Sequence, residues 1–336
     1  MLRLKSDNEG NIEISKESLA INEEAEIERI SSFIRDILAV NLKKRGAVIA
    51  LSGGIDSSVT AALCVKALGK DKVLGLLMPE QHSSANTSRL AKEVSSFLKI
   101  KYIEHDITSI LQATGCYLRQ DEAIQSLIPQ YKPGDQFKIA LPGADNQMFR
   151  IFSLIVKDSN GEIYKQRMSH ESYLSLVAAT NFKQRVRKMM EYYYADKFNY
   201  AVAGSPNRLE YDQGFFVKSG DGAADFKPIA HLYKTQVYAL AKVLGIPEEI
   251  QKRPPTTDTY PMEQTQEEFY FTLPYNKMDL CLFAKNAGYP PESVCKSTEL
   301  TPSEALFVFN DIDSKRRSTR YLHQRPLLVT ELTEIS

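Results

Sequence analysis

Neither sign of charge prevails in this sequence: its 336 residues carry 42 basic and 42 acidic side chains. A nucleic-acid partner held on a broad basic face is thereby excluded, because phosphate neutralisation needs a surplus of Lys and Arg. Cysteine is scarce, and Cys64, Cys116, Cys281 and Cys295 show no CxxC or Cys/His ligand spacing. They read as the reduced thiols of a cytoplasmic protein, not as metal ligands or a disulfide framework. No apolar run is long enough to cross a membrane, and the opening Met1-Leu-Arg-Leu-Lys-Ser-Asp-Asn8 has none suited to a signal peptide. Also absent are a Walker A lysine, a GxGxxG turn, any Cys–His or Ser–His nucleophile pattern, internal repeats and low-complexity tracts. With 43% hydrophobic residues, the chain is long enough for one large α/β domain with additions, or for two domains.

What is present centres on Ala47-Val-Ile-Ala-Leu-Ser-Gly-Gly-Ile-Asp-Ser-Ser58. Residues 47–51 predict a buried parallel strand, and residues 57–68 a helix closed by Gly69. Strand, Gly-rich turn and helix N-terminus in that order build an anion site. Gly53 and Gly54 let backbone N–H groups turn inward without a Cβ clash, and the helix dipole favours negative charge at the same point. Gly, Ser and Asp also make ordinary turns, but the full string Ser52-Gly-Gly-Ile-Asp-Ser57 is more specific than that. It resembles the SGGxDS loop of N-type ATP pyrophosphatases. In that family the loop holds the pyrophosphate part of ATP, and the aspartate, here Asp56, reaches Mg²⁺.

The flanking pattern suits such a loop. A helix opens at Asn22 with early glutamates and with Ile27, Ile30, Ile34, Ile37 and Leu38 on one face. Strands predicted at 73–78 and 101–105 flank a helix at 87–98, which argues a doubly wound parallel sheet with ligands at the carboxyl ends of its strands. Residues 112–176 break this rhythm with a hairpin, 149–156 and 162–168, turning at Asp158-Ser-Asn-Gly161. The α/β pattern resumes with a helix at 183–197, a strand at 199–203 and a helix at 233–244. Two helices close the chain at 276–287 and 302–321, the second opened by the capping box Thr301-Pro-Ser-Glu304. The expected division is an arm (1–22), an ATP pyrophosphatase-type domain (23–275) containing the insertion 112–176, and a helical extension (276–336).

A second dense region runs from Gly204-Ser-Pro-Asn-Arg-Leu-Glu210 through Gly214-Phe-Phe-Val-Lys-Ser-Gly-Asp-Gly222 to Asp225 and Lys234. Alone, Glu210 reads as a solvated surface carboxylate. Set at a strand end beside Asp56, it gives a second hard oxygen ligand for Mg²⁺, with phosphate oxygens and waters completing the shell.

At this point the chain resembles the NAD synthetase family. The strings SGGxDS, G[TS]xNxxE, GxFxKxGDGxxD, LYKTQ and PPTxD occur in order and at similar spacing over about residues 25–105, 178–265 and the C-terminus. The 1–22 arm and the 112–176 insertion are left unmatched. The resemblance implies a Rossmann-like, adenine nucleotide alpha hydrolase-like fold and a homodimer. It implies ATP contacts from Ser52, Gly53, Gly54, Asp56, Ser57, Ser205, Lys234 and Thr256, and Mg²⁺ ligands Asp56 and Glu210. Deamido-NAD would be met by Arg185, Lys218, Asp225, His323 and Gln324, with Asp56, Lys234 and Lys218 serving catalysis. Three positions depart from the family: Leu77 stands where many ammonia-dependent members carry Arg, Ser205 replaces Thr, and Gln324 replaces Lys.

The implied reaction amidates deamido-NAD through an acyl-adenylate, releasing AMP and pyrophosphate. No glutaminase domain fits in the length and no N-terminal Cys is present, so the nitrogen donor is expected to be ammonia, free or delivered by a separate protein. Two rivals stand beside this reading. One is a paralogue amidating another carboxylate; the other is a non-catalytic nucleotide-binding relative. Retention of Asp56, Glu210, Lys218, Asp225 and Lys234 together argues against the latter. Among smaller features, His82, His105, His170 and His231 read as structural or surface residues, Tyr192 to Tyr194 as core plus an oligomer contact, and Lys315-Arg316-Arg317 as a solvated helix face.

Overall fold

A computed structural model describes residues 5–6, 12–140, 152–256, 259–271, 273–330 and 332. Two short strands, β1 (Lys5–Ser6) and β2 (Ile12–Glu13), pair antiparallel. Helix α1 (Glu23–Asp36) follows, its Asn22 cap accepting from Ala25 N at 2.8 Å and its first turn carrying Glu23, Glu24 and Glu26.

The central sheet contains β3 (Ala47–Ala50), β4 (Val73–Leu77), β5 (Lys101–Glu104) and β9 (Ala201–Val202), all parallel, in the order β5-β4-β3-β9. The period-2 alternation of strand side chains splits its core in two. Ala47, Ile49, Val73 and Leu77 pack with α1, α2 (Ile55–Leu68), α3 (Ala85–Leu98) and α8 (Lys234–Val243). Val48, Leu74 and Leu76 pack on the opposite face with α4 (Thr108–Ala113), α5 (Cys116–Gln125) and α6 (His170–Phe198). The sheet is therefore doubly wound. From β3 the chain moves outward through β4 to β5, then returns to the other side of β3 as β9. The switch in direction lies between β3 and β9, and an open α/β sheet leaves a crevice at that point.

Between α5 and α6 lies a separate antiparallel sheet of β6 (Gln136–Ala140), β7 (Ser153–Lys157) and β8 (Ile163–Arg167). The hairpin β7–β8 turns at Asp158–Gly161 as expected, with Gly161 at φ +86° and Asp158 Oδ1 accepting from Asn160 N and Glu162 N. Part of the first predicted hairpin strand, 149–151, lies outside the described residues. Strand β6 lies outside the elements expected from the sequence, although Phe137 and Ile139 alternate with Gln136 and Lys138. The helix predicted from 183 starts at His170, because Ser169 caps it with Oγ accepting from Ser172 N.

Short α7 (Arg208–Gln213) and α9 (Glu248–Lys252) precede the C-terminal layer of α10 (Tyr275–Asn286), α11 (Cys295–Thr298) and α12 (Pro302–Thr319). Thr301 and Glu304 form the capping box read from the sequence. The segment before α1 docks on this layer: Ile14 and Leu19 are buried with Met278, Leu282 and Val308, and Ile14 N donates to Ser293 O at 2.9 Å. The basic run 315–317 departs from a solvated face. Lys315 is 6% exposed, donates to Tyr270 O at 2.7 Å and lies over the Tyr270 ring. Its aliphatic stem belongs to the core, which composition does not reveal. Among the described residues, no helix is long and apolar enough to cross a membrane.

Candidate active site

The loop after β3 is shaped by one glycine in particular. Gly53 has φ +68°, and a Cβ there would lie 2.7 Å from Leu90 Cβ and 2.9 Å from the Thr87 carbonyl oxygen. Both the left-handed backbone and the close approach of α3 exclude a side chain. Gly54 then caps α2. Its carbonyl accepts from Ser57 Oγ at 3.1 Å and Ser58 Oγ at 2.8 Å, and its N–H donates to Ser52 Oγ at 3.3 Å. The result is a fixed turn that presents the N-terminus of α2 to the crevice, the geometry that binds anions.

Asp56, in the first turn of α2, accepts from Asn207 Nδ2 at 3.0 Å and from the Lys234 ammonium. Asn207 is 1% exposed and caps α7, its Oδ1 accepting from Leu209 N and Glu210 N. Glu210 accepts in turn from Asn207 N at 3.1 Å and from Gln266 Nε2 at 2.9 Å. Lys234, 2% exposed, begins α8. Burial pushes the Glu210 carboxyl up to about 7, and the neighbouring Asp56 adds to this against the opposing pull of Lys234. For Lys234, burial would lower the ammonium, but Asp56 and Glu210 outweigh it and hold it above its usual range. One ammonium thus serves two carboxylates, and the excess negative charge suits a further cation. Among the described residues, no group of three or more His, Cys, Asp or Glu could hold a metal alone. Two carboxylates with ligand phosphates and waters still make a fitting oxygen donor set for Mg²⁺.

Behind Lys234 stands Asp279 of α10, fully buried, whose two oxygens accept from Lys234 N at 3.2 Å and Thr235 N at 2.7 Å. Burial raises its carboxyl to about 6, and the backbone bonds oppose this. It ties down the helix end from which Lys234 projects.

A cavity of about 750 Å³ opens at this switch point. Ser52, Gly54, Asp56, Ser57, Ser205, Glu210, Lys234 and Thr256 line it, as do Arg185 and Lys218. Gly53 is buried and acts as the hinge of the turn. Asp225, His323 and Gln324 are not among the lining residues. Asp225 instead accepts from Val202 N at 2.7 Å and Tyr192 OH at 3.3 Å, closing the end of β9. His323 stands edge-on to Tyr211 and Phe216. That tail still reaches the site through its neighbour, since Lys218 Nζ donates to Tyr321 O at 2.9 Å. Leu77 is 1% exposed in the core, so no charge stands there.

Asn207, Gln266 and Asp279 carried no assigned role in the sequence. An Asn three residues before a Glu is a capping signal that marks Asn207; Gln266 and Asp279 had no such signal. His82 belongs to a buried clasp beside the cavity. Lys183 Nζ donates to His82 Nδ1 and to Thr259 O, each at 2.9 Å, and pairs with Glu80 at 3.0 Å. Burial, then the lysine charge, drives His82 down to about 4, so it sits there neutral.

The chain matches a family model described as NAD synthase over residues 26–130 and 130–326. It is 53% identical over 317 residues to a protein of Mesorhizobium japonicum named NH(3)-dependent NAD(+) synthetase, covering 94% of this chain and 99% of that one. A Rhizobium meliloti protein of the same name is also 53% identical, covering 96% of each. Among solved structures, an NMN synthetase from Francisella tularensis superposes with a TM-score of 0.64 at 23% identity, over 92% of this chain and 99% of that one. At that identity the likeness bears on the fold alone.

Proposed function

The chain belongs to the NAD synthase family, and from that premise we propose how its cavity carries out the family's reaction. That reaction is the ATP- and Mg²⁺-dependent amidation of deamido-NAD by ammonia, in which a ligase forms a C–N bond through an acyl-adenylate and releases AMP and pyrophosphate. A carboxylate resists attack by an amine because its own charge repels the incoming lone pair. Its attack on the α-phosphate of ATP makes a mixed anhydride with a good leaving group, which ammonia then displaces.

Ser52, Gly54 and Ser57, with the N-terminus of α2, receive the β,γ end of the triphosphate, and Gly53 sets the turn. Lys234 neutralises the charge that grows on the departing pyrophosphate. Asp56 and Glu210 would hold Mg²⁺, which when bound supplies polarisation of the phosphoryl oxygens. Arg185 and Lys218 offset the mutual repulsion of two anionic substrates. Ser205 and Thr256 flank the nucleotide. Of the contacts implied for deamido-NAD, Arg185 and Lys218 are the direct ones in this reading; Asp225 closes the end of β9 and His323 packs on Phe216 of the wall. The observation that carries it is the meeting of Asp56, Glu210 and Lys234, from three separate chain segments, at the switch point of the sheet.

Purified chain incubated with ATP, Mg²⁺, ammonium and deamido-NAD is expected to release AMP and NAD in equal amounts, and glutamine in place of ammonium to support no turnover. AMP formed only with another acid would assign a different substrate, and no AMP with any acid would make this a binding protein. The assembly is read as a homodimer, supported by Met189 and Tyr193, which stand exposed four residues apart on α6. Light scattering at the monomer mass would remove that part. The four free thiols support a cytoplasmic location.

A further inference from the structure

The phosphate-loop chemistry makes no use of the sheet β6–β8, yet that sheet is fastened to a segment whose Thr259, Tyr260, Gln266 and Phe269 line the cavity. Gln264 Nε2 donates to Ile139 O at 2.6 Å and Met262 N to Phe137 O at 3.3 Å, so the segment after Tyr260 is fastened to β6. Lys138 pairs with Glu268 at 2.6 Å, and Phe137, 1% exposed, packs against Tyr131 and Tyr260. Four rings stand at the cavity wall, and these ties fix two of them, Tyr260 and Phe269. Phe152 and Tyr173 stack at 4.4 Å with 13° between their planes, and Tyr260 meets Phe269 edge-on at 5.9 Å. Phe152 precedes β7 and Tyr173 lies in the first turn of α6, both within the 112–176 stretch read from the sequence as an insertion.

The same cavity is also lined by Asp56, Lys234, Arg185 and Lys218. A nucleotide joins the same two chemistries, anionic phosphate and a flat heteroaromatic ring. Rings packed against one another offer a rigid face whose dispersion and quadrupole favour an offset or edge-on guest ring. Phe152 and Tyr173 are only partly buried, whereas a pair serving the core alone would be sealed from the cavity. We propose that the insertion supplies a stacking subsite, Phe152 and Tyr173 completed by Tyr260 and Phe269, for the flat heteroaromatic ring of a nucleotide substrate. The inference rests on the reading that this cavity takes ATP and deamido-NAD, each of which carries such a ring.

Tyr173→Ala and Phe152→Leu are compared with the parent by calorimetric titration of deamido-NAD and, separately, of a non-hydrolysable ATP analogue, neither of which requires turnover. Affinity for one of the two is expected to fall about tenfold, the order of one lost stacking contact, and Tyr173→Phe to restore it. In turnover the loss should fall on KM for that nucleotide more than on kcat, because stacking is made equally in the ground and transition states. The nucleotide that responds identifies which substrate occupies the subsite. Unchanged affinity for both in Phe152→Leu, which keeps apolar bulk and the fold, would overturn the proposal. A parent that binds both nucleotides but makes no NAD would instead count against the function and leave the binding comparison intact.

Discussion

Asp56→Ala is expected to lower ATP-dependent AMP release by roughly 10³-fold or more, on the scale of removing one preorganised charge contact to the reacting phosphates and a metal ligand together. Asp56 sits in the first turn of α2, where its carboxylate is fixed by Asn207 and Lys234. Its loss should damage chemistry more than fold, because Glu210 remains as a counter-ion for the buried lysine. Asp56→Asn separates charge from shape: it keeps an oxygen for Asn207 Nδ2 while removing the negative charge. A comparable loss in both variants identifies the charge as the active feature. AMP release at the parent rate in either would take Asp56 out of the site.

Lys234→Met is the second large effect, and it reaches stability as well as rate. The ammonium is 2% exposed and faces two carboxylates. Removing one partner from a buried ion pair leaves uncompensated charge, a loss of about 3–5 kcal/mol, alongside a fall in adenylation of roughly 10²–10³-fold. The stability loss should depend on pH with a definite sign. Glu210 is held at about 7 by burial and then by Asp56, against an ordinary glutamate value of 4.5. Between those values the folded chain keeps a proton that the unfolded chain has released, so stability falls as pH rises through that window. Lys234 opposes this shift, and its removal extends the window upward. Melting of the ligand-free variant should therefore lie furthest below the parent near pH 8 and closest to it near pH 5. A difference independent of pH would mean that the two carboxylates do not share the lysine.

Much of this site was legible because its signals are local. Ser52–Ser57 specifies its own turn, since Gly53 takes a left-handed backbone and Gly54 opens a helix, and both requirements are written in adjacent residues. The α/β rhythm on either side of that loop was legible for the same reason, as apolar residues recur with the period of the element they build. Asp279 shows the opposite case. Nothing around Tyr275–Asn286 marks one aspartate as the anchor of a helix that starts 45 residues earlier, and only the packing of α10 against α8 brings its carboxylate to Lys234 N and Thr235 N. Asp225 shows it again, because its place in the Gly-Asp-Gly-x-x-Asp string suggests a substrate contact, while the structure places its carboxylate on the backbone of β9.

The sequence by itself determined the elements, the phosphate-binding turn and the identities of the charged residues, because hydrogen bonding and side-chain periodicity act over a few residues. The tertiary structure alone decided which of those charges meet. Asp56 and Lys234 are 178 residues apart and share one hydrogen bond, since the reversal of strand order between β3 and β9 brings their helices to the same crevice. The aromatic wall was decided in the same way: Phe152 and Tyr173 belong to a segment that departs from the α/β rhythm, and only the packing of the folded chain stacks them at the cavity, Tyr173 on α6 and Phe152 just before β7.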